Sequence, residues 1–298
     1  MKNKTLIRLL CVLVCLVLSM FVVAQERVTL EIEKVSGDVY CLSGAGGNIG
    51  ILKTEAGLLL IDSGYERVTE DVMKKIAAFS PKPIKYLVNT HYHGDHTGGN
   101  EVVGKDAVII MHPNCKKSLT RSLEEKETEK AYISKVKPWT LGKVIKLGEE
   151  TVRLLHFGPG HTAGDIVVIF EKSKVVHTGD LFFNGIAPYI DVKDGSDTGH
   201  WIRTIEALCK RYPGYKIIPG HGKVTTAKEY FVMADYLKLL RKLVTVAIAK
   251  GKTREQAMET TKIKGFEKLK EMGNFLTIKN NIGWIYDEMT KKSSVGRK

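Results

Sequence analysis

Apolar positions come first in short runs and later at helical spacings. Between Thr29 and Asp62 the runs Val39-Tyr40-Cys41-Leu42, Ile49-Gly50-Ile51-Leu52 and Leu58-Leu59-Leu60-Ile61 are separated by glycine, asparagine and charged residues. That is the pattern of strands joined by turns. Gly44, Gly46 and Gly47 mark a tight hairpin between the first two runs. The period then changes: Val68, Val72, Ile76 and Phe79 recur every three or four residues. This predicts a helix over 65–79 that stops at Ser80-Pro81. Residues 84–88 predict a strand running straight into a histidine-rich loop. Further strands are predicted over 107–111, 151–157, 165–170, 174–177 and 216–218, and helices over 116–132 and 200–211. Strands in a run that then interleave with helices predict an α/β (α+β) protein, its sheets packed together with helices outside.

Past Gly222 only helical spacing remains. Tyr230, Met233, Leu237, Leu240 and Val244 form a stripe with Lys238, Arg241 and Lys242 between them. Gly251 and Thr253 read as a helix end and a fresh cap, and Ile282, Ile285 and Met289 as one face of a last helix over 280–289. The expected organisation is a leader over 1–24, a catalytic domain over 25–222, and a helical extension over 223–298 packed on the core.

The leader is read from Lys2, Lys4 and Arg8, the apolar run from Leu9 to Val23, and small residues ending at Ala24. The run is shorter than the roughly 20 residues that span a bilayer. Cleavage after Ala24 would leave a periplasmic or secreted chain with no stable membrane span. Cys15 follows Val14, which is larger than the usual lipobox residue. Cys41, Cys115 and Cys209 remain in the mature chain; three widely spaced cysteines read as free buried thiols, not a disulfide framework.

Composition adds little to this picture. The chain is 298 residues long, 43% hydrophobic and 27% charged, which excludes wholesale disorder. The formal charge of +13 is concentrated at the end: residues 223–298 hold 17 Lys/Arg against 8 Asp/Glu. These lysines sit on helical faces without aromatic interleaving, so no nucleic-acid partner is expected.

Chemistry concentrates elsewhere. His91-Tyr92-His93-Gly94-Asp95-His96 directly follows the strand at 84–88. In extended chain His91 and His93 point the same way, and Gly94 permits a sharp turn that brings Asp95 and His96 to a neighbouring point. Two nitrogens on one side, and a nitrogen with a carboxylate on the other, suit two adjacent metals. His161, Asp180 and His221 each follow a predicted strand and lie beside glycine, so one rim of the sheets would carry all of them.

With Ile61-Asp62-Ser63-Gly64, these motifs make residues 35–222 resemble the metallo-β-lactamase-fold hydrolase superfamily. The resemblance implies an αβ/βα sandwich, here with a C-terminal helical extension. It implies that His91, His93 and His161 hold one metal, that Asp95, His96 and His221 hold another, and that Asp180 bridges both. Asp95 and Asp180 are then the catalytic carboxylates, and Asp62 orients a ligating imidazole. Histidine and carboxylate ligands suit zinc, two per chain, with iron or manganese as alternatives. The expected function is an exported dinuclear-zinc hydrolase cleaving an ester-, thioester-, lactone- or β-lactam-type bond of a small-molecule substrate by a metal-bridging hydroxide.

Two departures narrow the resemblance. The commonest zinc β-lactamases carry Cys where this chain has Asp180, which favours the glyoxalase II-like thioesterases, the lactonases and their exported relatives. His93 argues against flavodiiron oxidoreductases. A mononuclear iron sulfur dioxygenase of the same fold is the alternative; it would leave Asp95 and His221 uncommitted. Substrate contacts are expected from the loop at 181–199, with Asn184 and Tyr189 as donors and Phe182 and Phe183 as core, and the 44–48 hairpin as a flap opposite. His177 is expected beside the ligands, and His112, His156 and His200 as structural or surface residues.

Overall fold

Two sheets face each other, and the apolar runs account for most of their strands. The computed structural model describes residues 29–128, 130–138 and 142–295; the leader read over 1–24 lies outside the described residues. One sheet contains β1 (Glu31–Ser36), β2 (Val39–Ser43), β3 (Ile49–Thr54), β4 (Gly57–Ile61), β5 (Ile84–Val88), β6 (Val108–Met111) and β7 (Lys137–Pro138), in that spatial order. The other contains β8 (Val144–Leu147), β9 (Glu150–Leu155), β10 (Val167–Phe170), β11 (Val175–His177) and β12 (Lys216–Ile218), ordered β12-β11-β10-β9-β8. β1 to β4 pair antiparallel, whereas β4 to β7 are parallel. In the second sheet only β11 and β12 are parallel.

Side-chain alternation along the strands builds the layers. Leu59 and Ile61 of β4 point inward with Val88, meeting Val152, Leu154, Val168 and Phe170 of the second sheet. Leu58 and Leu60, one residue out of phase, point outward. There they meet Val72 and Ile76 of α1 (Thr69–Phe79) and Cys115 and Leu119 of α2 (Pro113–Glu124). The outer face of the second sheet is covered by α3 (Thr198–Arg211), α4 (Ala227–Ala249), α5 (Arg254–Thr260) and α6 (Ile278–Val295). Trp201, Tyr230, Leu237, Ile282 and Ile285 from these helices share one core with Val167, Ile169 and Val176. The result is the αβ/βα sandwich with C-terminal helices. Each fully buried Leu or Ile in these layers contributes about 1.5–3 kcal/mol.

The C-terminal helices are also held by polar contacts. Glu288 of α6 is buried, and its Oε2 accepts from the Thr198 N–H (2.9 Å) and Oγ1 (2.7 Å) at the start of α3. Arg241 of α4 donates to Glu288 Oε1 at 2.8 Å. Cys41, Cys115 and Cys209 are free buried thiols, as their spacing suggested. Among the described residues no helix is long and apolar enough to cross a membrane.

Some elements differ from expectation, and one cap lies where it was read. The helix read over 116–132 spans Pro113–Glu124, because His112 caps it, accepting from the Asn114 N–H at 3.2 Å, and Pro113 takes the first turn. Its charged continuation ends in a turn where Glu127 adopts φ 51°. β8 was not expected: only Ile145 and Leu147 of its four residues are buried, too short an alternation to stand out. The cap read at Thr253 opens α5, through a reciprocal pair of bonds between Thr253 and Gln256.

Candidate metal centre

Strand ends place the donors. β5 ends at Val88 and leads into His91 and His93; the helical turn Gly94–Thr97 then carries Asp95 and His96. His161, Asp180 and His221 follow β9, β11 and β12. All seven predicted ligands converge in two groups: His91, His93, His161 and Asp180, and Asp95, His96 and His221.

Most of these imidazoles spend one ring nitrogen on an outer partner. His96 Nδ1 donates to Asp62 Oδ2 at 2.8 Å. The same Asp62 carboxylate accepts from the Thr90 N–H and Oγ1, both at 2.7 Å. With its proton given to Asp62, Thr90 Oγ1 accepts from His91 Nδ1 at 3.0 Å. Asp62 adopts φ 67°, a left-handed conformation that Asp tolerates better than most residues, and this turns its carboxylate into the site. His161 Nδ1 donates to the Tyr189 carbonyl at 2.8 Å. His93 Nε2 donates to Asp191 Oδ2 at 3.0 Å. The opposite nitrogens, Nε2 of His91, His96 and His161 and Nδ1 of His93, therefore face the centre, where each can offer a lone pair to a metal.

The inward atoms have the spacing of a coordination shell. His93 Nδ1 stands 3.0 Å from both His91 Nε2 and His161 Nε2. Asp180 Oδ2 lies 3.7 Å and 3.5 Å from the latter two. In the second group Asp95 Oδ2 lies 3.5 Å from His96 Nε2 and 3.1 Å from His221 Nε2. Asp180 reaches this group too, Oδ1 at 3.1 Å from His96 Nε2 and Oδ2 at 3.4 Å from His221 Nε2. Ligands of a tetrahedral zinc at 2.0–2.1 Å stand roughly 3.3–3.4 Å apart, so both groups fit. His96 Nε2 and Asp180 Oδ1 are buried without a hydrogen-bond partner. Such orphans are costly unless a shared cation satisfies them. The glycines of the rim are equally committed: a Cβ at Gly220 would overlap Asp180 Oδ1, and one at Gly47 the His96 ring.

Electrostatics divides the two groups. Burial holds His91 well below the usual histidine range and His161 down to about 4, so both imidazoles are neutral. Burial also opposes charge on His96 and His221, but there Asp180 and Asp95 prevail, raising His96 strongly and His221 to about 9. Burial likewise opposes ionisation of Asp180 and Asp95, yet the facing histidines hold Asp180 well below its ordinary value and Asp95 at about 2. The second group thus concentrates carboxylate charge that protonated histidines balance, and a dication would take their place. His93, Asp95 and His221 keep 16–17% of their side chains exposed, which sets the open face.

Several supporting residues had no sequence signal. Asp191 lies 98 positions from His93, and besides His93 it accepts from the Tyr92 hydroxyl at 2.6 Å. Asn48 Nδ2 donates to the carbonyls of Pro219 (2.9 Å) and Gly222 (2.8 Å), clamping the His221 turn. His177 lies beside this clamp, its Nε2 3.2 Å from the Asn48 carbonyl. Phe182 and Phe183 are both core, as expected; Phe182 stacks on Tyr230, and Phe183 stacks on His221 with ring centres 5.0 Å apart. The Asn184 amide donates to the Lys223 carbonyl at 2.8 Å, within the loop that carries His221. Tyr189 stands 5.4 Å from the His93 ring. The 44–48 hairpin is pinned to the site: Gly47 N–H donates to Asp95 O (3.1 Å) and Asn48 N–H to Gly220 O (2.8 Å). His112 and His156 stack together, centroids 3.9 Å apart, and His200 packs near Gly158.

Residues 42–221 match the family model of the metallo-beta-lactamase superfamily. A Beta-lactamase-like protein 2 homolog of Caenorhabditis elegans is 27% identical over 187 residues, 60% of this chain and 57% of that protein. An Atrochrysone carboxyl ACP thioesterase of Aspergillus fumigatus is 30% identical over 189 residues, 60% of this chain and 51% of the enzyme. The chain therefore spans about half the length of these two relatives. Among solved structures, a metallo-beta-lactamase from Pontibacter korlensis superposes with a TM-score of 0.60 at 23% identity, covering 70% of this chain and 99% of that one.

Proposed function

We propose, from the premise that this chain belongs to the metallo-beta-lactamase superfamily, that it is an exported, dinuclear-zinc hydrolase of small-molecule substrates. The scissile bond is of ester, thioester, lactone or β-lactam type. The observation that carries the reading is Asp180, whose carboxylate reaches donors of both groups while its Oδ1 has no hydrogen-bond partner.

His91, His93, His161 and Asp180 would hold one ion, and Asp95, His96, His221 and the same Asp180 the other. Bound zinc supplies Lewis acidity toward the scissile carbonyl and lowers the pKa of a water to about 7. The protein's own part is orientation. Asp62, Thr90 and Asp191 fix the tautomers of His96, His91 and His93, and Phe183 packs behind His221. Asp95 at the open face and the buried Asp180 would offset the cationic charge of the ions. Export rests on the leader pattern at 1–24.

The test is metal content joined to a hydrolysis panel. The purified chain should hold about two zinc ions. Chelation should abolish hydrolysis across acyl esters, thioesters, lactones and β-lactams, and zinc should restore it. Full turnover after demetallation overturns the reading, as does a single iron per chain with sulfur dioxygenase activity.

A further inference from the structure

Met272 and Phe275 are large apolar residues left 50% and 55% exposed, on one short hairpin beside the metal centre. The hairpin is firmly held. Met272 and Leu276 exchange backbone hydrogen bonds at 3.0 and 3.2 Å. Lys270 N–H donates to Gly185 O (2.9 Å) and Ala187 N–H to Lys270 O (3.0 Å), so the hairpin extends the loop that follows Asp180. Asn280 Nδ2 donates to the carbonyls of Asn274 (2.9 Å) and Phe275 (2.8 Å). Phe275 packs edge-on against Trp284 of α6, ring centres 5.3 Å apart, yet about half of it and half of Met272 stay in water on this committed backbone, which leaves room for a second role.

Their surroundings supply one. Met272, Ile186 and Val224 line a cavity of about 560 Å³ whose other lining residues include Asn48 and His221. That volume is within the range of small-molecule sites. On the other flank the Phe275 ring stands 5.0 Å from Tyr189, itself 5.4 Å from His93. The hairpin thus adjoins both ligand groups. Glu31 and Glu33 also line the cavity against a single cation, Lys223, and this negative balance disfavours an anionic tail.

We propose that the hairpin at 270–276 is an acyl-binding wall: Met272, with Ile186 and Val224, takes a neutral aliphatic chain whose carbonyl end points to the metal centre. This rests on the hydrolase reading and narrows it to aliphatic acyl substrates.

The test is a binding series that needs no turnover. The zinc-loaded full chain is titrated calorimetrically with straight-chain carboxylates from acetate to octanoate. Wild-type affinity should rise roughly two- to fourfold per methylene, as buried CH₂ groups dictate. Met272→Asp and the uncharged Met272→Asn should flatten that rise while zinc content and acetate affinity hold; Met272→Leu should keep it. Length-independent affinity in the wild type, or an undiminished rise in both polar variants, overturns the wall. If no acyl ester is hydrolysed while the length dependence holds, the hydrolase reading fails and the wall stands.

Discussion

Asp191 Oδ2 accepts a hydrogen bond from His93 Nε2 at 3.0 Å, although 98 residues separate the two. The bond makes Nδ1 of His93 its inward nitrogen, whereas His91 and His161 present Nε2. Tyr92, next to His93, donates to the same oxygen at 2.6 Å. One carboxylate therefore sets the orientation of the only partly exposed imidazole in the first group.

Asp191→Ala should cost kcat/KM and first-site zinc affinity by about 10–100-fold, the range for removing a carboxylate that orients a metal-bound histidine. Competition with a chromogenic chelator measures the affinity. Asp191 Oδ1 also accepts from the Asp194 N–H at 3.1 Å, so Asp191→Asn, which keeps an acceptor for that turn, should hold stability better than Ala. Unchanged zinc affinity in both variants would remove Asp191 from the support of His93.

The Asp165 carboxyl sets a pH dependence of stability. Burial pushes it up to about 8, against hydrogen bonds from the Thr162 hydroxyl and N–H that favour ionisation, and with Asp180 and Asp194 adding to the rise. An unfolded Asp titrates near 3.9. Between roughly pH 4 and 8 the unfolded chain has released a proton that the folded chain keeps, so this group's contribution falls as pH rises. Asp165→Asn cannot titrate. Its melting temperature should follow a flatter profile over that window than the wild type, and parallel profiles would show that Asp165 is already ionised.

The C-terminal helices test how the extension is held. Glu288 is buried at 2% exposure and receives bonds from Thr198 and Arg241. Glu288→Ala leaves those donors without their carboxylate. We expect a loss of about 3 kcal/mol, the low end for breaking a buried pair because Arg241 keeps part of its side chain in water. That corresponds to roughly 6–12 °C in melting temperature for a domain of this size. Zinc stoichiometry should stay unchanged, since the contact lies between α3, α4 and α6. A shift under 2 °C would mean that the apolar stripe alone holds α6.

Local patterns explain what was legible beforehand. The strands around Leu59 and Val168 are unbroken apolar runs because both faces are covered, and the predicted ligands lie in the segments that follow strand ends. Asp191, Thr90 and Asn48 were silent because their roles depend on which loops meet in space. Asn48 reaches 171 positions to Pro219, and no spacing rule encodes that. The ends of α2 were misplaced for a different reason. Residues 124–127 are charged and helix-compatible, and the turn at Glu127 ends the helix without proline or glycine.

Asp180→Asn asks whether one carboxylate serves both groups. Its Oδ2 faces His91, His161 and His221, and its buried Oδ1 faces His96. Asn preserves the shape but removes the charge that would offset two dications, and turns an NH₂ toward atoms arranged to accept a cation. The first group keeps three imidazoles, of which burial holds His91 and His161 neutral, whereas the second keeps Asp95, His96 and His221, two of which are histidines that favour protonation. The second metal should therefore be lost first, visible as one tight zinc and one weak zinc in a chelator titration. Turnover should fall by about two orders of magnitude or more, beyond the range for outer-partner changes. Melting temperature at saturating zinc should drop only modestly, because the strand ends that carry the ligands remain packed. An Asn variant with two tight metals and near-normal turnover would mean that Asp180 does not join the two groups, and the dinuclear reading would go with it.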